Sequence, residues 1–148
     1  MATTKNIRTV GDYKIREVIV NYKKPKRVCE TITGPEDSAS FIRSILPNNS
    51  QEHFCALYLD GSHRPIGYAV VHSGTATSCQ IHPREILQRA VLIGAVALIV
   101  AHNHPSGSVT PSAEDERVTN SLRDAAKCLG IKLLDSLVVT EVDYTSIC

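Results

Sequence analysis

The sequence predicts an α/β fold: a single three-layer domain in which a mixed β-sheet is flanked by helices on both faces. Three observations carry that expectation. Apolar patterns of period 2 and period 3.6 alternate through the second half of the chain, as they do where helices cover a sheet. The run Val96 to Ala101 is apolar without alternation, which suits a central strand covered on both faces. At 148 residues, with 43% hydrophobic and 21% charged residues, the chain can bury one core without disulfides or structural metal.

The elements follow in order. Residues 1–12 are read as a flexible arm, and residues 13–148 as one domain with no internal repeat or linker. Ile15, Val18, Val20 and Tyr22 alternate well enough for a strand over Tyr13 to Tyr22, ended by Lys23-Lys-Pro-Lys-Arg27. Thr33-Gly-Pro-Glu36 has capping-box spacing and opens a helix with Ala39, Ile42 and Leu46 inward, stopped at Pro47. Glu52 to Asp60 and Ile66 to His72 are strands joined as an antiparallel hairpin by Gly61 to Pro65. A short strand is expected around Ser78 to Ile81. Pro83 then sits in the first turn of a helix whose stripe is Ile86, Leu87, Ala90, Val91 and Ile93, ended by Gly94. The strand Val96 to Ala101 is followed by a helix over Ser112 to Leu129, with Val118, Leu122, Ala126 and Leu129 inward and Gly130 closing it. Ile131 to Thr140 is the last expected strand, and Glu141 to Cys148 trails off.

Composition narrows the function classes. Cys29, Cys55, Cys79, Cys128 and Cys148 are scattered, odd in number and without a C-x-x-C pair, which argues against a zinc ribbon or disulfide scaffold and for a reducing compartment. The longest apolar run, Val91 to Ala101, is too short to cross a bilayer, and the N-terminus has no apolar h-region, so a cytoplasmic protein without a membrane partner is expected. Net charge of +1 conceals +6 over residues 1–27 against −5 over the remainder. A basic arm of that kind can contact nucleic acid, although it lacks interleaved aromatics and also suits a solvated loop.

The chemistry concentrates between Ala101 and Asp115, A-H-N-H-P-S-G-S-V-T-P-S-A-E-D. On extended backbone, side chains at i and i+2 point the same way, so His102 and His104 can converge on one metal ion. Asp115, just inside the following helix, can supply a third ligand. Two His and one carboxylate leave a tetrahedral position free for water, the arrangement of a hydrolytic zinc site. Asp115 has a second reading, since Ser112-x-x-Asp115 is also a capping box. Ser112 can be that cap, or a hydroxyl donor to an oxyanion. A general base is needed, and Glu52 and Glu85 are both candidates that periodicity does not separate. His82 lies three residues before Glu85, which invites a second-metal reading, although both suit a helix start. No H-E-x-x-H, deaminase H-x-E with P-C-x-x-C, Gly-x-Ser-x-Gly elbow or phosphate-binding glycine loop is present.

The spacing His102-x-His104-x7-Ser112-x2-Asp115 resembles the JAMM (MPN-plus) metallopeptidase motif at every step. His102-Asn-His-Pro-Ser-Gly107 with Pro111-Ser112 resembles the RadC branch of that superfamily. Glu52 to Asp60, the hairpin to Gly67, Gly74, His82-Pro-Arg-Glu-Ile86 and Leu134-Asp135 resemble RadC positions too, so the likeness covers about residues 13–147. It implies a JAB/MPN fold of cytidine-deaminase-like architecture, Zn2+ held by His102, His104 and Asp115, Glu52 as the base and Ser112 as the oxyanion donor. Glu85 would then be a site-wall or helix-start residue. Two departures stand out. Longer RadC proteins have an N-terminal helical domain with no counterpart here, so DNA binding by that route is not expected. Many relatives have His where this chain has Ser136. The activity implied is zinc-dependent cleavage of an amide bond in a peptide or protein, as a metallopeptidase or isopeptidase. The competing expectation is a DNA repair or recombination accessory, or a nuclease, acting on nucleic acid.

Overall fold

A computed structural model of the chain describes residues 17–19, 21, 23, 31–74 and 81–148. The elements among them are α1 (Pro35–Ile45), β1 (Glu52–Leu59), β2 (Pro65–Gly74), α2 (Pro83–Ile93), β3 (Ala97–Asn103), α3 (Ala113–Cys128), β4 (Lys132–Val139) and β5 (Tyr144–Ser146). The strands form one mixed sheet of order β2-β1-β3-β4-β5. Only β3 and β4 run parallel, joined through α3, and every other neighbouring pair is antiparallel. Most of the expected strand over Tyr13 to Tyr22, the basic segment and Ser78 to Gln80 lie outside the described residues. Glu17 to Ile19 have no regular structure, and Val18 is exposed, not inward.

Period 2 in the central strands divides the interior into two cores, and this makes the domain three-layered. Phe54, Ala56 and Tyr58 of β1, with Leu98 and Val100 of β3, face α2 and α3 and pack on Ile86, Leu87, Ala90, Leu122 and Ala126. The alternate residues Cys55, Leu57 and Leu59, with Ala97, Ile99 and Ala101, face α1 and pack on Ala39, Ile42 and Ile45. All seven residues of β3 are buried, as its unbroken apolar run requires. The Tyr58 hydroxyl donates to the Ile86 carbonyl at 3.1 Å, tying β1 to α2. Burial pushes that phenol up to about 12. Arg43 of α1 donates from Nε to the Thr140 carbonyl at 2.7 Å and from Nη2 to that of Asp143 at 2.9 Å, holding α1 against the β4–β5 turn.

Four local expectations are corrected. The Thr33–Glu36 capping box does not form: the N-cap is Gly34, and Thr33 bonds the Asp37 carboxylate through both its backbone N–H and its hydroxyl. Val91 is 56% exposed because α2 buries a narrower stripe than its apolar residues suggest, and Leu129 is 52% exposed because α3 ends at Cys128 and leaves it at the C-cap. Leu46, the C-cap just past Ile45, packs partly buried on the α1-side core as expected. The tail does not trail off: β5 pairs antiparallel with β4 from Leu137↔Ser146 to Val139↔Tyr144. Gly94 ends α2 in the left-handed region as expected, at φ 73°.

Candidate metal centre

The end of β3 and the start of α3 meet on the α2/α3 face of the sheet. His102 continues the row Leu98, Val100, and so points to that face from a position only 2% exposed. His104 lies just past the strand, its N–H still bonded to the Val139 carbonyl of β4 at 3.1 Å, which carries the extended backbone two residues further. The two Nε2 atoms lie 3.0 Å apart. The Asp115 carboxylate completes the group, with Oδ1 3.1 Å from His102 Nε2 and Oδ2 3.8 Å from His104 Nε2.

This donor set fits a divalent ion. Two imidazole nitrogens aimed at each other across 3.0 Å need a cation or a shared proton between them. Tetrahedral zinc holds nitrogen donors roughly 3.3 Å apart, close to what is present. His104 Nδ1 lies 2.8 Å from the Ser108 carbonyl, which can only accept, so Nδ1 carries the proton and the Nε2 lone pair is free for metal. Three such donors would leave a fourth tetrahedral position open to water. Among the described residues, His102, His104 and Asp115 are the one His/Cys/Asp/Glu group close enough to hold an ion.

Asp115 forms the expected capping box and also stands beside the two imidazoles. Ser112 is the N-cap of α3, and its Oγ accepts from the Asp115 N–H at 3.1 Å. Asp115 Oδ2 in turn accepts from the Ser112 N–H and from the Ser112 hydroxyl, each at 2.7 Å. This leaves Oδ1 toward His102. Burial pushes the Asp115 carboxyl up, but the bonds from His102 and Ser112 outweigh it and hold the group well below the usual carboxylate range. A cation beside a helix N-terminus opposes the helix dipole, and Glu114, Asp115 and Glu116 in the first turn offset that cost. The Ser112 hydroxyl, expected at an oxyanion, is committed to Asp115 here.

Glu52 opens β1. Phe54 lies opposite His102 in the sheet register and stacks on its ring, with centroids 6.1 Å apart and 5° between planes. Two residues before Phe54, Glu52 shares its face and, with Phe54, His102, Ser112 and Asp115, lines a cleft of about 110 Å³. Glu85 and His82 are exposed, and neither lines that cleft. Ser136 is buried, lines the cleft and is paired with the Thr119 hydroxyl at 2.8 Å.

Asn103 lies within the His102 to Gly107 string with no role readable from the sequence, yet it organises the site. Its Oδ1 accepts from the His53 N–H at 2.7 Å and its Nδ2 donates to the Gln51 carbonyl at 3.0 Å. These bonds bracket Glu52 and fasten the start of β1 beside the metal ligands. The only signal available was a lone polar residue facing the opposite core from His102 and His104.

Comparison with known proteins places this geometry in context. A family model described as RadC-like JAB domain matches residues 32–148. A UPF0758 protein of Acaryochloris marina is 38% identical over 95% of this chain and 61% of its own length. UPF0758 proteins of Thioalkalivibrio sulfidiphilus and Paraburkholderia xenovorans are 42% and 43% identical, over 74% and 76% of this chain and 49% and 45% of theirs. The chain thus spans about half to three fifths of the relatives it matches.

Proposed function

Because the chain belongs to the RadC-like JAB domain family, we propose that it is a zinc-dependent hydrolase that cleaves an amide bond in a peptide or protein. The observation that supports this most directly is the convergence of His102 Nε2, His104 Nε2 and Asp115 Oδ1 with one coordination position left open. Zinc held by these three residues supplies Lewis acidity, polarising a carbonyl and bringing the pKa of water down to near ~7. The protein's own groups carry the protons. Glu52, on the adjacent strand and the same face, takes a proton from the attacking water and returns it to the departing amine. Phe54 covers one side of the His102 ring and keeps bulk water from it. Ser112 keeps Asp115 in its ligand orientation, and its hydroxyl can reach a developing oxyanion only by leaving Oδ2.

The competing reading, action on nucleic acid, draws its support from the +6 charge of residues 1–27. The cleft gives it none. Among the described residues its charged walls are Glu52, Glu114 and Asp115 and no Lys or Arg lines it, a poor setting for a phosphate backbone.

Glu52→Gln tests the assignment. The variant is expected to bind one zinc per chain and to lose on the order of 10² or more in turnover of a library of peptide and lysine-isopeptide amides. Undiminished turnover would show that Glu52 is not the base. Failure of the unaltered protein to take up zinc would remove the metal centre itself.

A further inference from the structure

One half-buried imidazole lining the cleft takes no part in that chemistry. Strict alternation along β2 puts Ala69 on the α2/α3 face, Val70 on the α1 face and Val71 back on the α2/α3 face, so that His72 would fall on the α1 side. The register shows otherwise: Phe54 pairs with His72 while Cys55 pairs with Val70. Val71 is therefore an extra residue, a β-bulge, and it turns His72 onto the face of Phe54 and Glu52. His72 accordingly lines the cleft, and Val71 packs on the α2/α3 core.

Nε2 of His72 is buried and has no hydrogen-bond partner among the described residues. A polar atom so placed is unfavourable unless something reaches it. Its position identifies what can. A Cβ built on Gly74 would lie 3.5 Å from this Nε2, and Gly74 is the register partner of Glu52. Glu52 is thus the diagonal cross-strand neighbour of His72, at a spacing that long side chains bridge. Gly74, with no side chain, leaves the space between them open. The Glu52 carboxylate likewise has no hydrogen bond or ion pair with a described residue. Phe54 stands between His72 and His102, which keeps His72 out of the ligand set.

We propose that His72 is a positioning residue for Glu52, its Nε2–H donating to the Glu52 carboxylate and holding that carboxylate toward the open side of the metal group. The catalytic meaning of this bond rests on Glu52 being the base, whereas the bond itself can be observed independently. The other ionisable groups around His72 are His53, behind it on the opposite face of β1, and Glu114, Asp115 and His102 along the cleft.

The test is imidazole 1H–15N spectroscopy of the zinc-loaded full chain, with no substrate. A slowly exchanging Nε2–H signal from His72, assigned by its loss in His72→Gln, is expected. Its exchange with water should quicken on the order of tenfold or more in Glu52→Ala, the factor that a charge-assisted hydrogen bond carries, and less in Glu52→Gln, which keeps a neutral acceptor. Should Glu52→Ala lose zinc or its fold, Glu52→Asp, which withdraws the carboxylate by one methylene, is read in the same way. Absence of a protected His72 signal, or protection indifferent to Glu52, overturns the proposal. A protected, Glu52-dependent signal together with full turnover in Glu52→Gln would keep the hydrogen bond and reject Glu52 as base.

Discussion

Ser112→Ala removes a hydroxyl that caps α3 and also fixes Asp115, the proposed metal ligand, and the two contributions can be separated. In the metal-free chain the variant loses the bond from the Asp115 N–H to Oγ and one of the two bonds from Ser112 to Oδ2. Loss of such a cap costs about 1 kcal/mol, which lowers the melting temperature by roughly 2–4 °C in a chain of this size. The same change frees the Asp115 carboxylate, and loss of a partner that orients a ligand typically weakens metal binding by about 10–100-fold. At fixed excess zinc that removes roughly 1.4–2.7 kcal/mol of zinc-derived stabilisation. The melting shift should therefore be roughly two to four times as large with zinc as without it. Ser112→Thr, which keeps both the cap and the donor, should restore most of each. The metal-free penalty also depends on pH. Asp115 is held below its unfolded value, so its contribution is complete above about pH 4 and fades as the pH falls toward the folded value. Melting curves with and without zinc, together with a chelator-competition titration, supply every quantity needed. Equal shifts with and without zinc, with unchanged zinc affinity, would reduce Ser112 to a helix cap.

Two further outcomes follow from burial. Cys55 is fully buried and its thiol is pushed up to about 12, whereas Cys128 and Cys148 are exposed, so iodoacetamide at pH 8 should label Cys128 and Cys148 and spare Cys55 until the chain unfolds; peptide mapping by mass spectrometry reads this, and early labelling of Cys55 would show that the α1-side core opens readily. Leu122, fully buried where α3 meets the sheet, should cost about 2–5 kcal/mol on change to Ala, measured by urea unfolding, and a loss under 1 kcal/mol would mean that the core around it collapses to fill the space.

Much of the site was readable because it obeys simple periods. His102 and His104 share a face because extended residues two apart must, and Asp115 follows Ser112 at the interval that any capping box requires. Glu52 was a different matter. Nothing in the chain relates the start of β1 to the end of β3, which lie fifty residues apart and meet only through strand pairing, so family likeness had to choose between Glu52 and Glu85. In the fold that choice becomes a matter of parity, with Glu52 two residues from Phe54 and Phe54 opposite His102. The errors have physical sources as well. Val91 extends an apolar stripe beyond the width its helix buries, and Leu129 continues one past the helix end, neither of which periodicity reports. Tyr144–Ser146 is too short to show alternation and is a strand only because β4 is beside it. His72 reaches the cleft through a bulge, a defect in the very alternation by which strands are read.

Two of the contacts that hold the site differ in what they demand of heredity. Asn103 grips Gln51 and His53 through its own amide, so the identity of that side chain is what must be kept. His104 is anchored by a main-chain oxygen, which every residue possesses, so position 108 is free to drift in type. What the turn after His104 cannot tolerate is a change of length: one residue inserted or deleted before Ser108 moves the carbonyl away and releases the imidazole to its other tautomer. The first anchor is vulnerable to substitution and the second to a shift in spacing, so neighbouring residues of one short segment are guarded against different kinds of mutation.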